Sequence, residues 1–103
     1  MKDGKGYIKE YYGDGELSFE GEYLNGKRNG KGKEYDYFNS KLEFEGDYKG
    51  GKRNGKGKEY NEEDGKLRFE GEYLNGMRNG KGKEYDDNGN LIFEGNYLNG
   101  NRI

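Results

Sequence analysis

The chain has 103 residues and contains no cysteine, proline, tryptophan or histidine, and no alanine or valine. Without cysteine there can be no disulfide, thiolate metal site or thiol nucleophile. The absence of alanine beside 21 glycines argues against helix, because each glycine costs about 1 kcal/mol at a helical position. Residues 1–15 lack the apolar core of a signal peptide, and no segment is apolar enough to cross a bilayer. A cytoplasmic location is therefore expected, unless a signal peptide has been removed.

Large aliphatic residues are also scarce, but aromatic residues are not. Leu, Ile, Val and Phe together account for 15 residues, a proportion typical of disordered chains. Eleven tyrosines and five phenylalanines supply large surfaces that can be buried, and the net charge is only −2. The chain is long enough for one folded domain. Its balanced charge provides no general attraction to nucleic acid or to an anionic membrane.

One stretch of sequence recurs along the chain. FEGEYLNGKRNGKGKEY at 19–35 returns with few changes at 44–60 and 69–85. The repeated aromatic positions are Phe19, Phe44, Phe69 and Phe93, each followed four residues later by Tyr23, Tyr48, Tyr73 or Tyr97. Such self-similarity indicates a stacked array of one supersecondary unit. We predict a single repeat domain over 1–103, with a partial unit at 1–15, repeats at about 16–40, 41–65 and 66–90, and a partial unit at 91–103.

Each repeat has the alternation of a β-strand followed by turn signals. In LSFEGEYL, Leu17, Phe19, Gly21 and Tyr23 lie on one face, and polar residues lie on the other. Asn-Gly pairs follow, a composition that favours tight hairpin turns. Further turn signals precede each new repeat at Asp14-Gly15, Asn39-Ser40, Asp64-Gly65 and Asn88-Gly89. The predicted fold is all-β, an elongated, twisted, single antiparallel meander of tandem hairpins with about eight strands and a length on the order of 40 Å.

The pairing within each hairpin depends on the position of its turn. If the first turn is centred on Lys27-Arg28, Tyr23 lies opposite Gly32 and Glu22 lies opposite Lys33. A slip of one residue would reverse these facings. The pattern leaves open which face carries Tyr35, Tyr60 and Tyr85.

The repeat resembles a known family, the MORN repeat (membrane occupation and recognition nexus). The resemblance is carried by Phe19, Gly21, Tyr23, Asn25, Gly26, Arg28, Gly30 and Gly32, and by their counterparts downstream. The period of 24–25 residues and the Lys-Glu-Tyr that ends each copy are similar to the variant form of this repeat found in bacterial proteins. The resemblance implies an elongated sheet of hairpins that mediates protein interaction or self-assembly. Phospholipid binding is a further activity that it implies, and catalysis is not.

Three motifs have a chemical interpretation that is weaker than the structural one. GKRNGKG lacks the spacing and the Ser/Thr of a phosphate-binding loop, so turn glycines are favoured. The carboxylate pairs Glu20/Glu22, Glu45/Asp47 and Glu70/Glu72 recur in every repeat, which indicates a solvated face paired with lysines rather than a glycosidase site. Asp86–Asn90 has oxygen ligands suited to Ca²⁺ but lacks the bidentate glutamate of a calcium loop. No enzyme activity, cofactor or metal site is predicted.

Two sets of residues are the candidate binding sites. The aromatic stripe is Phe19, Tyr23, Phe44, Tyr48, Phe69, Tyr73, Phe93 and Tyr97; it is expected to form the core, and an open side could bind a protein or a glycan. The basic ridge is Lys27, Arg28, Lys52, Arg53 and Arg78, which could meet anionic phospholipid or only maintain solubility. We expect a non-enzymatic scaffold that binds protein or itself through the aromatic face and an open edge strand. Binding of lipid or glycan is the alternative.

Overall fold

Nine strands form one antiparallel sheet in which each strand pairs only with its neighbours in the sequence. The computed structural model describes residues 4–103. The strands are β1 (Lys5–Tyr11), β2 (Leu17–Leu24), β3 (Lys27–Tyr35), β4 (Leu42–Lys49), β5 (Lys52–Tyr60), β6 (Leu67–Leu74), β7 (Met77–Tyr85), β8 (Leu91–Leu98) and β9 (Asn101–Arg102). The molecule measures 43 × 28 × 16 Å. The predicted all-β meander of tandem hairpins is confirmed, with the two-residue β9 added to the eight long strands.

The hairpin turns lie two residues earlier than the predicted centre at Lys27-Arg28. Asn25 and Gly26 form the first turn, with φ values of +50° and +85°. Positive φ at both central residues matches the right-handed twist of the flanking strands. Leu24 therefore pairs with Lys27, and Tyr23 pairs with Arg28 rather than with Gly32. The predicted register was wrong because two Asn-Gly pairs lie close together and only the first makes the turn.

The second Asn-Gly pair makes a β-bulge. The register shifts between Gly21 and Tyr23, where the opposing strand β3 bulges, and Gly30 in this segment has a φ of +101°. A bulge of this kind needs a residue that tolerates positive φ. Beyond it Gly21 pairs with Gly32, and Glu20, not Glu22, pairs with Lys33. The shift is by an even number of residues, so each side chain keeps its predicted face.

Three phenylalanine rings are buried although the sheet has no second layer. Phe19, Phe44 and Phe69 are fully buried. The ring of Phe19 lies down on the strands beside Gly21 and Gly32, where a Cβ on Gly32 would come within 2.6 Å of the ring. The glycines paired across the strands thus leave a shallow space that the rings fill. Glycine is required here for close approach, not for its φ.

Arginine and tyrosine side chains complete the cover over each ring. The guanidinium carbon of Arg28 lies 4.0 Å from the centre of the Phe19 ring, and the ring of Tyr48 meets Phe19 edge-on at 5.2 Å. Arg53 over Phe44, Arg78 over Phe69 and Arg102 over Phe93 repeat the stacking. Both contacts exploit the negative face and positive edge of an aromatic ring. The core is therefore a single row of aromatic rings in which each phenylalanine is covered by an arginine.

A glutamate on each return strand ties one repeat to the next. Glu34 on β3 accepts hydrogen bonds from the hydroxyl of Tyr48 and from Arg53, whose Nε and Nη2 lie 2.9 and 3.2 Å from its two carboxylate oxygens. Burial alone would raise the pKa of Glu34, but Arg53 and Tyr48 lower it below its ordinary value. Glu59 makes the same bonds to Tyr73 and Arg78. Neighbouring repeats are thus joined by charged hydrogen bonds as well as by backbone pairing.

Candidate functional site

The face opposite the rings carries a long groove. It has a volume of about 1040 Å³ and reaches from β1 to β8 across the strands. Its floor is the glycine row Gly21, Gly32, Gly46, Gly57, Gly71, Gly82 and Gly95, and charged side chains stand on both sides of this row. These glycines line the groove without a side chain of their own, because the rings on the other face occupy the space that a Cβ would need. Four of them, Gly21, Gly32, Gly57 and Gly82, are themselves buried. The same glycine row therefore builds the core on one face and the groove on the other.

The first row of side chains alternates in charge at every strand. Paired neighbours across the sheet are Glu20, Lys33, Glu45, Lys58, Glu70, Lys83 and Glu94. Opposite charges in directly facing positions contribute roughly 0.2–1 kcal/mol each. The prediction that the repeated carboxylates form a solvated face paired with lysines is confirmed. The alternation leaves the groove with little long-range field.

The second row follows the bulges. Lys31 pairs with Asp47 across the strands, with an ion pair of 2.5 Å, and Lys56 pairs with Glu72. Carboxylates of this row also accept hydrogen bonds from backbone N–H groups at the bulges, as Glu72 does from Lys81 at 2.7 Å. These bonds satisfy amides that the bulge removes from the ladder. The carboxylates of this row are therefore held in place at each repeat.

Tyrosine hydroxyls bind the carboxylates of the first row. Tyr60 donates to Glu45 at 2.7 Å, Tyr85 donates to Glu70 at 2.9 Å, and Tyr7 donates to Glu20 at 3.0 Å. Burial and the adjacent Glu45 raise the pKa of Tyr60, so its hydroxyl remains a donor. These contacts place Tyr60 and Tyr85 on the groove face, which the sequence pattern had left open.

The aromatic stripe lies on the opposite face from the groove. Its phenylalanines and tyrosines are brought together as predicted, and they form the core. Of these rings only Tyr23 and Phe93 are partly exposed to solvent. Phe93 is exposed because it has Tyr97 of its own strand beside it but no tyrosine of a following repeat. That the stripe contacts a partner stays a prediction. In this conformation Tyr23 and Phe93 are the two rings of the stripe that a partner could reach.

The basic ridge is not a continuous line of free cations. Arg28, Arg53 and Arg78 lie over rings and are ion-paired with Glu10, Glu34 and Glu59 at 2.9 Å. Lys27 and Lys52 are exposed beside the hairpin turns. The core function of these arginines was missed because the spacing of Phe to Arg, nine residues, crosses a turn whose position the sequence did not define. Binding of lipid by this set stays a prediction.

The Asp86–Asn90 segment is a turn. One carboxylate oxygen of Asp86 accepts the N–H groups of Asn88 and Asn90, both at 2.9 Å. Across residues 4–103 no three or more acidic or other ligating side chains are grouped so as to hold a metal ion. In the same part of the chain no helix is long and apolar enough to cross a bilayer.

A cluster of exposed aromatic side chains at one set of loops was not predicted. The aromatic loop patch consists of Tyr12, Tyr37 and Phe38, with ring centres 5.0 Å apart for Tyr12 and Tyr37 and 5.1 Å apart for Tyr37 and Phe38. A signal was present, since the equivalent loops of later repeats have Asn, Asp and Glu at these positions. The patch breaks the repeat, and such a break marks a surface specific to one end of the molecule.

Comparison with known families agrees with the repeat architecture. No curated protein matches the chain. The MORN repeat family matches residues 19–37, 44–62 and 69–91, which together make up more than half of the sequence. The matched segments begin at Phe19, Phe44 and Phe69, the rings of the core. The chain therefore belongs to the MORN repeat family, whose repeats are protein- or membrane-binding modules.

Proposed function

We propose that the chain is a non-enzymatic binding module that takes up an elongated segment of a partner protein along the groove. The observation that carries this proposal is the groove itself, about 1040 Å³ of open space flanked by two rows of charged side chains. A concave surface of this size with ordered polar groups is the usual form of a binding site. The side chains of its rows remain partly or largely exposed, so a ligand can reach them.

The chemistry of the groove favours a polypeptide over a polyanion. Positive and negative side chains alternate along both rows, so a nucleic acid or an anionic lipid would meet a carboxylate beside every lysine. A peptide with both signs of charge can pair with both kinds of group. The bare glycine floor also allows close approach of a backbone or a flat side chain. Selection by the groove therefore rests on local pairing rather than on net charge.

Site-specific crosslinking tests this proposal. A photoreactive phenylalanine derivative in place of Lys58 lies in the middle of the groove, and the same residue in place of Lys66 lies in an exposed loop as a control. In extracts of cells that express the protein, we expect one discrete protein adduct from position 58 and none from position 66. Equal labelling from both positions, or none from position 58, would contradict a groove partner.

A vesicle assay separates the lipid alternative. Flotation of the protein with phosphatidylserine vesicles, lost when salt is added, would favour the exposed lysines Lys27 and Lys52 as a lipid contact. We expect no flotation, because the arginines of the basic ridge are already paired with carboxylates.

The β8 edge favours a second candidate, self-association of the chain. Large apolar side chains are exposed along this edge and its extension: Leu91, Ile92, Leu98 and Ile103. β9 covers only the last two residues of β8, so most of the outer side of β8 is unpaired in the structure. An edge of this kind accepts a further strand. The apolar side chains would be buried by the same contact.

The equivalent positions of the repeat provide a matched test. Ile92 corresponds to Arg68 in the preceding repeat, so Ile92→Arg introduces a residue that the fold already accepts there. We expect light scattering after size exclusion to show a concentration-dependent dimer for the parent chain and a monomer for Ile92→Arg. A parent chain that stays monomeric at every concentration would rule out this second candidate and leave the groove proposal intact.

A further inference from the structure

The aromatic loop patch contains Phe38, the most exposed large hydrophobic side chain among residues 4–103. Phe38 is 89% exposed and Tyr37 is 49% exposed, although both belong to a residue type that usually hides most of its ring. Tyr12 is fixed beneath them, because its hydroxyl donates to the backbone carbonyl of Tyr35 at 2.5 Å. The patch is thus an ordered cluster with two open rings and a large apolar surface facing solvent.

Negative charge lies beside the patch. The charges of Glu43 and Asp36 both act on the Tyr12 hydroxyl and, together with burial, raise its pKa. Burial and the nearby Glu34 and Asp36 also raise the pKa of Glu43. Asp36 lies at the patch, since its carboxylate accepts the N–H of Phe38. Glu43 lies on the neighbouring strand, one residue beyond Leu42, which pairs with Tyr35. A cation arriving here would offset the negative charge of these carboxylates.

Two cations of this region already have other partners, and one of them, Arg53, partly offsets the rise in the pKa of Glu43. Arg53 makes its ion pair with Glu34, at 2.9 Å. The ammonium of Lys41 donates to the backbone carbonyl of Glu63 in the next loop, at 2.7 Å. Among residues 4–103, neither Glu43 nor Asp36 forms an ion pair. One carboxylate oxygen of Asp36 accepts the N–H groups of Phe38 and Asn39, and Asp36 is buried. Glu43 is therefore the carboxylate that a ligand could reach.

The core of the same molecule shows what such a set of groups binds. Each buried phenylalanine lies under an arginine, as Phe44 lies 3.9 Å under Arg53. That arginine pairs with a glutamate, and tyrosine rings meet the phenylalanine edge-on. The patch offers a phenylalanine, tyrosines and a carboxylate in one place, but none of its own arginines lies on it.

We propose that the aromatic loop patch, Tyr12, Tyr37 and Phe38 with Glu43 beside it, binds an arginine side chain presented by a basic segment of a partner protein. The planar guanidinium would stack on the open rings and direct its N–H groups toward the carboxylate. Arginine suits this surface better than lysine because it is planar and less strongly hydrated. This surface is separate from the groove, so a partner could use either one or both.

The probe is a short capped peptide in which glycine and arginine alternate, titrated into the isotope-labelled full chain and followed by amide chemical shifts. We expect saturable shifts centred on Tyr37, Phe38 and Asn39. The equivalent loop at 61–65, which is acidic but has no aromatic residue, is the internal control and should show little change. Replacing arginine by lysine in the peptide should weaken binding by about threefold to tenfold, on the order of one cation–π contact.

Variants of the exposed residues complete the test. The double variant Tyr37→Ser/Phe38→Ser removes the open rings, which lie outside the core. It should abolish the saturable shifts. Glu43→Gln should weaken binding with the rings intact. The proposal is overturned if shifts at loop 61–65 or along the groove equal those at the patch, or if the double variant binds the peptide as well as the parent chain. Unchanged spectra outside the loop confirm that each variant is folded.

Discussion

The two edges of the sheet end the same repeat in different ways. On β1, Ile8 pairs with Gly21 and so occupies the position that Gly32 has on β3. On β8 the core positions of the repeat are retained, and Phe93 and Gly95 keep their places. A Cβ at the position of Gly32 would lie within 2.6 Å of the Phe19 ring. A phenylalanine from a neighbouring repeat therefore cannot lie beside Ile8, whereas β8 has the pattern that an additional repeat would continue.

This difference shows how a repeat array is closed. One branched side chain, Ile8, stands in the glycine row on the β1 side and leaves no room there for the ring of a further repeat. Phe93 on the β8 side has Arg102 over it, at 4.4 Å, but no following tyrosine. It remains half-buried as a result. Head-to-tail growth that places β1 of one copy against β8 of another is blocked by Ile8. Self-association of the β8 edge would then be limited to a closed pair rather than an open fibre.

The largest expected difference between middle and edge is the cost of removing a ring. Phe44 is fully buried under Arg53 and between two tyrosines. Phe44→Ala should lower the free energy of unfolding by about 3–4 kcal/mol, since it removes a ring and opens a cavity. Phe93→Ala should cost less than about half as much because the ring is already partly exposed. Urea denaturation measures both, and equal costs would contradict an edge effect; Phe44→Leu gives a milder version if the alanine variant does not fold.

A side chain added to the glycine row is expected to have the next largest effect. Gly57→Ala places a Cβ within 2.6 Å of the Phe44 ring and 2.9 Å of Tyr73, and should cost about 2 kcal/mol through overpacking. At the edge, Ile8→Ala should cost only about 1 kcal/mol, because the side chain is half-buried. If thermal melting shows Gly57→Ala to be as stable as the parent chain, the rings do not depend on a bare glycine row.

The glutamate that joins repeats should show a smaller, pH-dependent effect. Glu34→Gln should cost about 1–2 kcal/mol near neutral pH, since it removes charged hydrogen bonds to Arg53 and Tyr48. The pKa of Glu34 is lowered in the folded chain, so its stabilisation is present above the ordinary glutamate value of about 4.3 and is lost as pH falls through the folded-state value. The two stability curves should therefore converge in acid.

The edge counterpart of this substitution is Glu10→Gln. Glu10 makes the same bonds to Arg28 and Tyr23 but its side chain is 32% exposed, against 20% for Glu34. We expect a smaller loss, below about 1 kcal/mol, because solvent screens the pair. For Glu34→Gln, a difference in unfolding free energy from the parent chain that does not change with pH would indicate that the loss of stability comes from packing instead.

The smallest effect is expected from Glu43, and it has the opposite sign. Burial and neighbouring carboxylates raise the pKa of Glu43, so its ionisation destabilises the folded chain as pH rises through that value. Glu43→Gln should stabilise the chain by about 0.5 kcal/mol at neutral pH and have no such effect in acid. Differential scanning calorimetry at an acidic and a neutral pH measures this change in stability. A Glu43→Gln variant that is less stable than the parent chain at neutral pH would show that the carboxylate has a favourable partner.

The fold could be predicted from sequence because its signals are local. Alternation in LSFEGEYL and paired turn residues determine strands, facings and the meander without any distant contact. The register could not be predicted from sequence, because Asn25-Gly26 and Asn29-Gly30 have the same composition. Only the cross-strand pairing shows that the first pair makes the turn and the second makes the bulge. Similarly, the stacking of Arg28 on Phe19 depends on that register, so the arginines resembled a solvent-exposed ridge. The groove was not predicted, because glycines in a sequence usually indicate turns or flexible segments and not the base of a binding groove.

The periodic groove has a consequence for how a partner is aligned. Two strands advance by about 10 Å, and the rows repeat their charges at that step, so a ligand displaced by one repeat meets nearly the same surroundings. An elongated ligand would then have several almost equivalent positions and could slide between them. Its position would be fixed only where the periodicity fails, at Tyr7 on the β1 side and at Asn96, which stands in place of an acidic residue on β8. The interior would supply affinity, and the ends would determine alignment.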